Sequence, residues 1–112
     1  MFSPALCAGN FVFVSGQASL DEAGAIVRDG FEGEMRRSLA NLERVLRAAG
    51  LGLENIVQVR AYLDDAGNLA EYNRIYREQF SDPLPARTTL IGCLGGFISF
   101  EIDAIACVDA TR

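Results

Sequence analysis

Hydrophobic residues follow two different periods along this chain, and each period predicts one kind of element. In residues 10–17 phenylalanine and valine dominate between turn-forming residues, which predicts a β-strand. Residues 20–24 then favour a turn, and residues 25–27 favour a short second strand. The chain is therefore expected to begin with a β-hairpin or meander.

Two later segments have apolar residues at steps of three and four, the pattern of an amphipathic helix. The first covers residues 31–49, and its apolar stripe consists of Met35, Leu39, Leu42, Leu46 and Ala49. The second covers residues 69–80, and its apolar side consists of Leu69, Tyr72, Ile75, Tyr76 and Phe80. Asn68 and Glu71 have the spacing of a capping box, which predicts where the second helix begins.

Three more strands are predicted at residues 56–63, 85–91 and 99–106, where β-branched and other apolar residues dominate. Gly95 and Gly96 signal a turn between the last two strands, so we expect these strands to form a hairpin. The order β-β-α-β-α-β-β predicts an α+β fold with both helices packed on one face of a mixed sheet. Residues 1–112 are expected to form a single domain.

One face of the strand at residues 56–63 is predicted to be apolar and the other mixed. The apolar face would hold Val57, Val59, Ala61 and Leu63, and the mixed face Ile56, Gln58, Arg60 and Tyr62. A sheet with helices on one face and another subunit on the other would have this pattern. Half of all residues are hydrophobic, which in so short a chain also predicts apolar surface for partner subunits.

Composition excludes several classes of protein. No apolar run approaches the roughly 20 residues of a membrane span, and the first residues do not resemble a secretory signal, so no membrane partner is expected. The three cysteines are an odd number without a C-x-x-C pair, which argues against disulfides and zinc-thiolate sites and fits a reducing cytoplasm. Cys93 and Cys107 lie in strand-like runs, where we expect buried thiols.

Charge and the absence of histidine narrow the chemistry further. The formal net charge of −5, without a basic tract, makes nucleic acid a poor partner. Without histidine, Ser-His-Asp and Cys-His catalysis and histidine-ligated metals are excluded. The adjacent Asp64 and Asp65 are better explained by a turn or helix cap than by a metal site, so no metal is expected.

Two charged residues stand in otherwise apolar, strand-like runs. Arg87 follows Pro85-Ala86, and its planar guanidinium could bind a small carboxylate through two hydrogen bonds, with Thr88 and Thr89 adding donors. Glu101 lies on the mixed face of the last strand, where partial burial would raise the pKa of its carboxyl and let it move a proton through water. The plainer alternatives are a surface arginine paired with a carboxylate, and a solvent-facing pair of Glu101 with Asp103.

Strand parity tests whether Arg87 and Glu101 can share one site. In a two-residue Gly95-Gly96 hairpin, the two residues would lie on opposite faces of the sheet. A shared site within the hairpin then requires a loop with an odd number of residues or a bulge. The other possibility is a site formed between subunits, which is the arrangement we expect.

Short motifs spread over nearly the whole chain resemble the Rid, or YjgF, family of reactive intermediate deaminases. The motifs are Gly9-Asn10, Val14-Ser15-Gly16-Gln17, Asn41-Leu42 with Leu46 and Ala48-Ala49-Gly50, Tyr62-Leu63-Asp64, Asn73-Arg74-Ile75-Tyr76, Pro85-Ala86-Arg87-Thr88 and Glu101-Ile102-Asp103-Ala104-Ile105-Ala106. The resemblance implies a chorismate-mutase-like α+β fold, assembled as a homotrimer with sites between subunits. It also implies hydrolysis of reactive enamines and imines, such as 2-aminoacrylate, to 2-oxo acids and ammonia without a cofactor.

The same resemblance implies roles for individual residues. Arg87 matches the arginine that binds the substrate carboxylate, and Glu101 matches the glutamate that positions the attacking water. Gly16 and Thr89 match positions whose backbone lines the pocket, although many members have cysteine where Thr89 stands. Phe2 stands where many members have a pocket tyrosine, so that hydroxyl is missing here.

Further departures concern the first helix, where Glu34 and Arg37 replace a glutamine-rich start. These departures indicate a subfamily outside the best-known deaminases. Two alternatives therefore stay open: a non-catalytic trimer that binds a small carboxylate, and an endoribonuclease or translation inhibitor, a role also attached to this family.

Overall fold

The computed structural model describes residues 1–110 as one layer of five strands covered on one face by two helices. The strands are β1 (Ala5–Ala8), β2 (Phe11–Ala18), β3 (Ile56–Leu63), β4 (Ala86–Ile91) and β5 (Phe100–Cys107). The helices are α1 (Phe31–Ala48) and α2 (Leu69–Gln79). Residues 111 and 112 of the predicted domain lie outside the described residues.

The sheet is mixed, and its strand order is β1-β2-β5-β3-β4. Only β3 and β4 pair in parallel, while the other neighbours are antiparallel. This arrangement confirms the predicted order β-β-α-β-α-β-β and the chorismate-mutase-like α+β fold. No helix within the described residues is both long enough and apolar enough to cross a membrane.

The opening hairpin was placed wrongly by the sequence pattern. Residues 25–27 form no strand and contribute only an isolated bridge between Leu20 and Ile26. The side chain of Asp21 accepts hydrogen bonds from the amides of Ala23 and Ala25, which folds this segment into a tight turn. The missing strand is β1, which precedes the turn at Gly9 and pairs with β2 over four residues.

The predicted hairpin of the last two strands is also wrong, because β3 lies between β4 and β5. Gly95 and Gly96 do form a turn with positive φ, but this turn belongs to a crossover connection. The connection is fixed by Glu34, which is only 1% exposed and accepts a hydrogen bond from the Ser99 amide at 3.0 Å. Cys93 lies exposed in the same connection and Cys107 is half-buried, so the expectation of buried thiols was wrong.

The core lies between the helices and one face of the sheet. The stripe of α1 is buried as predicted, except that the helix ends before Ala49, which is exposed. The apolar side of α2 is buried as predicted except for Leu69. The capping box at Asn68 does not form; instead Asp65 accepts a hydrogen bond from the Gly67 amide one turn earlier, as expected for a capping aspartate.

One register shift in β3 changes which residues face the helices. Ile56 pairs with Ala106 and Gln58 with Ile105, so Val57 is the extra residue of a bulge. As a result Ile56 is buried and Val57 is only half-buried, the reverse of the predicted faces. After the bulge the predicted alternation holds to the end of the strand.

Candidate active site

Arg87 lies on the edge strand β4 and points to the helix face of the sheet. Its register partner in β3 is Val59, a fully buried core residue, which fixes the face. The guanidinium lies over two tyrosine rings of α2, 4.9 Å from the centroid of Tyr72 and 4.7 Å from that of Tyr76. Its Nη1 donates a hydrogen bond to Oδ1 of Asn73 at 3.0 Å. Three side chains of one helix therefore orient a single cation.

No carboxylate of the described residues forms a salt bridge with Arg87, so the alternative of a paired surface arginine was wrong there. Aromatic faces attract a guanidinium without neutralising it, so its charge is available to a ligand. Beside it, the Tyr72 hydroxyl and Thr89 Oγ1 are hydrogen-bonded at 2.8 Å. Burial raises the pKa of Tyr72. The phenol therefore stays neutral beside the cation.

The Arg87 guanidinium forms part of the wall of an open cavity of about 350 Å³ between α2 and the segment before β4. The lining residues are Asn73, Tyr76, Arg77, Leu84, Pro85 and Arg87. This volume is at the small end of the range for ligand sites. The cavity has cationic and apolar walls, which suits a small organic anion.

Glu101 lies on the opposite face of the sheet, which we call the open face because neither α1 nor α2, the helices of the described residues, covers it. It is level with Ala18 of β2 and Tyr62 of β3, in the middle of the sheet. Partial burial, and secondarily the charge of Asp103, raises the pKa of the Glu101 carboxyl above its usual value. Glu101 is therefore easier to protonate than an ordinary glutamate, as a proton relay requires.

Gly16 makes room for this carboxylate. The register of β2 against β5 shifts between Val14 and Gln17, which places Gly16 in a bulge beside Glu101. A Cβ atom added at Gly16 would lie 2.5 Å from Oε2 of Glu101 and 3.0 Å from its Cδ. Only glycine therefore lets the carboxylate occupy this place, which is a physical reason for the predicted site position.

A second carboxylate on the open face is already satisfied. Asp103 accepts hydrogen bonds from the Tyr62 hydroxyl at 2.6 Å and from Nε of Arg60 at 2.9 Å. Burial, and then the hydrogen bond to Asp103, raises the pKa of Tyr62 to about 12, so its phenol remains a donor at neutral pH. Glu101 and Asp103 thus share a face but differ in their contacts, since among residues 1–110 only Asp103 has an arginine partner.

Within one subunit Arg87 and Glu101 do not meet. They lie on opposite faces, and β3 separates their strands by two spacings, roughly 10 Å. Arg87 is level with Val59 and Ala104, and Glu101 lies three residues before Ala104 along β5. Strand parity thus predicted the correct faces for both residues, although the predicted hairpin between their strands does not form.

The remaining predicted site residues lie partly near Arg87 and partly on the open face with Glu101. Thr89 shares the helix face with Arg87, whereas Thr88 is level with Arg60 on the open face. Phe2 is exposed and lines a shallow cavity with Ser3, Leu6, Phe13, Val14 and Ser15, near the start of the Gly16 bulge.

The sequence pattern did not predict the contact of Arg87 with α2, because it placed Tyr72 and Tyr76 only on the apolar side of that helix. Both rings are buried as expected, but the Tyr72 hydroxyl is also hydrogen-bonded to Thr89, and both rings contact the guanidinium. The available signal was the spacing of Tyr72, Asn73 and Tyr76 on one helical side, just before Arg87.

Large apolar side chains are exposed on the open face around its charged residues. Leu6, Phe11 and Phe13 are examples, and Phe13 is 44% exposed although it is level with Ile105 in the sheet. The rings of Phe11 and Phe13 lie 6.5 Å apart. Contiguous apolar surface of this kind is typical of protein interfaces.

Among the described residues, no group of three His, Cys, Asp or Glu side chains is placed to hold a metal ion.

Comparisons with known proteins agree on one family. A family model described as endoribonuclease L-PSP matches residues 1–108. A RutC family protein of Pyrococcus horikoshii is 36% identical over 107 residues, which cover 94% of this chain and 85% of that protein. The 2-iminobutanoate/2-iminopropanoate deaminase of Mus musculus is 34% identical over 107 residues, which cover 94% of this chain and 79% of the mouse protein. The crystal structure of RidA from an Antarctic Psychrobacter superposes with a TM-score of 0.87 at 30% identity, covering 95% of this chain and 87% of RidA.

Proposed function

Since the chain belongs to the Rid (YjgF, RutC) family, we propose that it hydrolyses reactive 2-imino acids and their enamine tautomers to 2-oxo acids and ammonia. The similar mouse protein is a 2-iminobutanoate/2-iminopropanoate deaminase, and the other relatives include RutC proteins whose names state no reaction. The activity of this chain therefore depends on what its own residues can bind and what protons they can transfer.

The observation that carries the proposal is the state of Arg87. Its guanidinium is held by Tyr72, Tyr76 and Asn73, yet it has no carboxylate partner among residues 1–110. An arginine that is oriented but not neutralised is suited to bind a carboxylate through two parallel hydrogen bonds. Such an anchor would hold the carboxylate that every 2-imino acid carries next to its reactive carbon.

Glu101 supplies the proton transfers that hydrolysis needs. A water held by its carboxylate attacks the imine carbon, so a C–O bond forms while the C=N electron pair moves to nitrogen. Glu101 takes a proton from the attacking water and passes it to the nitrogen, which gives a carbinolamine. Glu101 then moves the proton of the new hydroxyl to the same nitrogen, so that the C=O bond forms, the C–N bond breaks and ammonia leaves. Its raised pKa suits both roles, because the carboxyl group must accept and release the same proton.

The two halves of the site come together between copies of the chain. We propose a homotrimer in which the open face of one subunit approaches the Arg87 edge of its neighbour. The exposed apolar residues of the open face, Phe13 among them, supply the buried surface that a stable interface requires. In this arrangement Phe2 and Gly16 line the cleft from the side of Glu101, and Thr88 and Thr89 line it from the side of Arg87.

The test follows the decay of 2-imino acids generated by an amino-acid oxidase, with wild type, Arg87→Ala and Glu101→Gln. Wild type should accelerate the decay, and each variant should lose roughly 100- to 1000-fold in kcat/KM, the range for removing a group that acts on the developing charge. If wild type accelerates no imine from several amino acids, the deaminase proposal is wrong.

Two further assays with the same variants, of 2-oxobutanoate binding and of RNA cleavage, distinguish the alternatives. A non-catalytic trimer that binds a small carboxylate would bind 2-oxobutanoate through Arg87 without accelerating imine decay. An endoribonuclease would cleave RNA in an Arg87-dependent way, a role for which the net charge of −5 and the absence of histidine are poorly suited.

A further inference from the structure

The cavity beside Arg87 contains a second arginine that the proposed deaminase chemistry does not use. Arg77 of α2 and Arg87 of β4 line the same cavity of about 350 Å³, which is large enough for a small ligand. One guanidinium is sufficient to anchor the carboxylate next to the reacting carbon. The second therefore raises the question of which anionic group it faces.

Arg77 is only weakly neutralised by its own chain. Its two contacts with Asp82 are each 3.4 Å long, and the two side chains are 61% and 75% exposed. These distances exceed those of strong charge-assisted hydrogen bonds, and exposed ion pairs of this kind contribute little. A ligand carboxylate could therefore compete with Asp82 for this guanidinium.

Arg74, the neighbouring arginine on the same helix, forms a closer ion pair than Arg77. Arg74 donates to Glu78 at 3.0 Å and lies within 4.0 Å of both Glu32 and Glu71. It does not line the cavity. Arg77, one turn of the helix away from Asn73, does line it. Two arginines and no carboxylate of the described residues thus line this cavity, and Asp82 pairs with Arg77 from outside the lining.

The uncharged part of the wall suits a short hydrocarbon chain. Leu84, Pro85 and the ring of Tyr76 lie along the same cavity as the two arginines. A ligand with carboxylates at both ends and methylene groups between them would match cationic and apolar surfaces together. A monocarboxylic ligand would leave the Arg77 end unmatched.

We propose that the site prefers 2-imino dicarboxylic acids, with Arg87 binding the carboxylate next to the imine carbon and Arg77 binding the distal carboxylate. This inference rests on the proposed function, because the substrate is the same class of imine. The reaction is unchanged: water adds to the imine carbon and ammonia leaves. Arg77 is then a specificity-determining residue that touches the far end of the substrate.

Binding is tested with 2-oxoglutarate, the dicarboxylic 2-oxo acid, and 2-oxobutanoate, the monocarboxylic one, by titration calorimetry. Wild type should bind 2-oxoglutarate about tenfold more tightly, the gain expected for one additional charged hydrogen-bonding contact. Arg77→Gln should bring the two dissociation constants together. Arg47→Gln removes the same charge from the exposed end of α1, away from the cavity, and should keep the tenfold ratio.

Kinetics separate this inference from the proposed function. The ratio of kcat/KM for glutamate-derived over 2-aminobutyrate-derived imines should fall about tenfold in Arg77→Gln and stay at the wild-type value in Arg47→Gln. If wild type shows the binding preference but accelerates no imine, the deaminase proposal fails and the specificity stands. If 2-oxobutanoate binds as tightly as 2-oxoglutarate, or Arg77→Gln keeps the tenfold ratio, the dicarboxylate inference is wrong.

Discussion

The two faces of the sheet differ in what packs against them within the subunit. On the helix face, α1 and α2 bury residues such as Phe100 and Ile102 completely, so the chain completes this side by itself. On the open face, Phe13 and Leu6 are exposed beside the charged pair of Arg60 with Asp103. The first face has the composition of a core, and the second that of an interface without its partner.

The candidate site is divided in the same way. Arg87 belongs to the helix face and is seated on α2, whereas Glu101 belongs to the open face and is seated against Gly16. Each half is ordered by its own surroundings, yet neither holds both the proposed carboxylate anchor and the proposed proton relay. The contrast between the faces is therefore the basis for proposing that one subunit provides two half-sites.

The largest expected effect separates the stability of the two faces. Phe100→Ala should lower the free energy of unfolding by about 3–5 kcal/mol, because Phe100 is fully buried and contacts the rings of Phe31 and Tyr72. Phe13→Ser should cost the isolated subunit only about 1 kcal/mol, the value of a cross-strand pair. Urea denaturation at low protein concentration measures both.

Phe13→Ser should instead act on the assembly. In light scattering coupled to gel filtration, wild type should run as a trimer and the variant as a monomer. If the variant keeps the molar mass of the wild-type assembly, the open face is not the subunit interface. The exposure of its apolar residues would then need another explanation.

A smaller effect is expected where the backbone makes room for Glu101. Gly16→Ala should lower kcat about 100-fold, the cost of a displacement of about 1 Å at a reacting group, while the thermal midpoint changes little. Gly33→Ala is the matched control, since its added Cβ would lie 2.6 Å from a carboxylate oxygen of Asp29, away from the site. Equal activity losses in both variants would mean that the Glu101 position does not matter.

The smallest expected effect is the loss of stability caused by the ionised Glu101 carboxylate at neutral pH. A carboxyl whose pKa is raised by folding stabilises the protein below its unfolded pKa and loses that contribution as pH rises through the folded pKa. Glu101→Gln should therefore have a higher thermal midpoint than wild type at pH 7, and the difference should vanish at about pH 4. Glu22→Gln, on the exposed turn after β2, controls for the loss of one negative charge.

Local sequence patterns were sufficient to predict most helices and strands, but not which strands pair with each other. The stripes of α1 and α2 and the alternation of β5 follow directly from residue spacing, and the structure keeps them. The pairing of β4 with β3 depends on contacts distant in sequence, such as the hold of Glu34 on Ser99. The bulge at Val57 and the short strand β1 likewise have no strong local signal.

The site was predictable to the same extent. Arg87 and Glu101 stand out as charges in apolar runs, and strand parity placed them on opposite faces. The insertion of β3 between their two strands was not predicted from the sequence. The contacts of Arg87 with α2 could not be predicted without knowing that α2 packs beside β4. The roles of Phe2 and Thr88 remain predictions, since they depend on the proposed cleft between subunits.

The most direct test of a site shared between subunits is complementation. Arg87→Ala and Glu101→Gln, each inactive alone, are unfolded together in denaturant, refolded as a mixture, and assayed for imine hydrolysis. In a cyclic trimer whose sites each join Arg87 of one subunit to Glu101 of the next, random mixing restores about one quarter of the wild-type sites. We predict activity near that fraction; a mixture as inactive as its two parents would contradict the account.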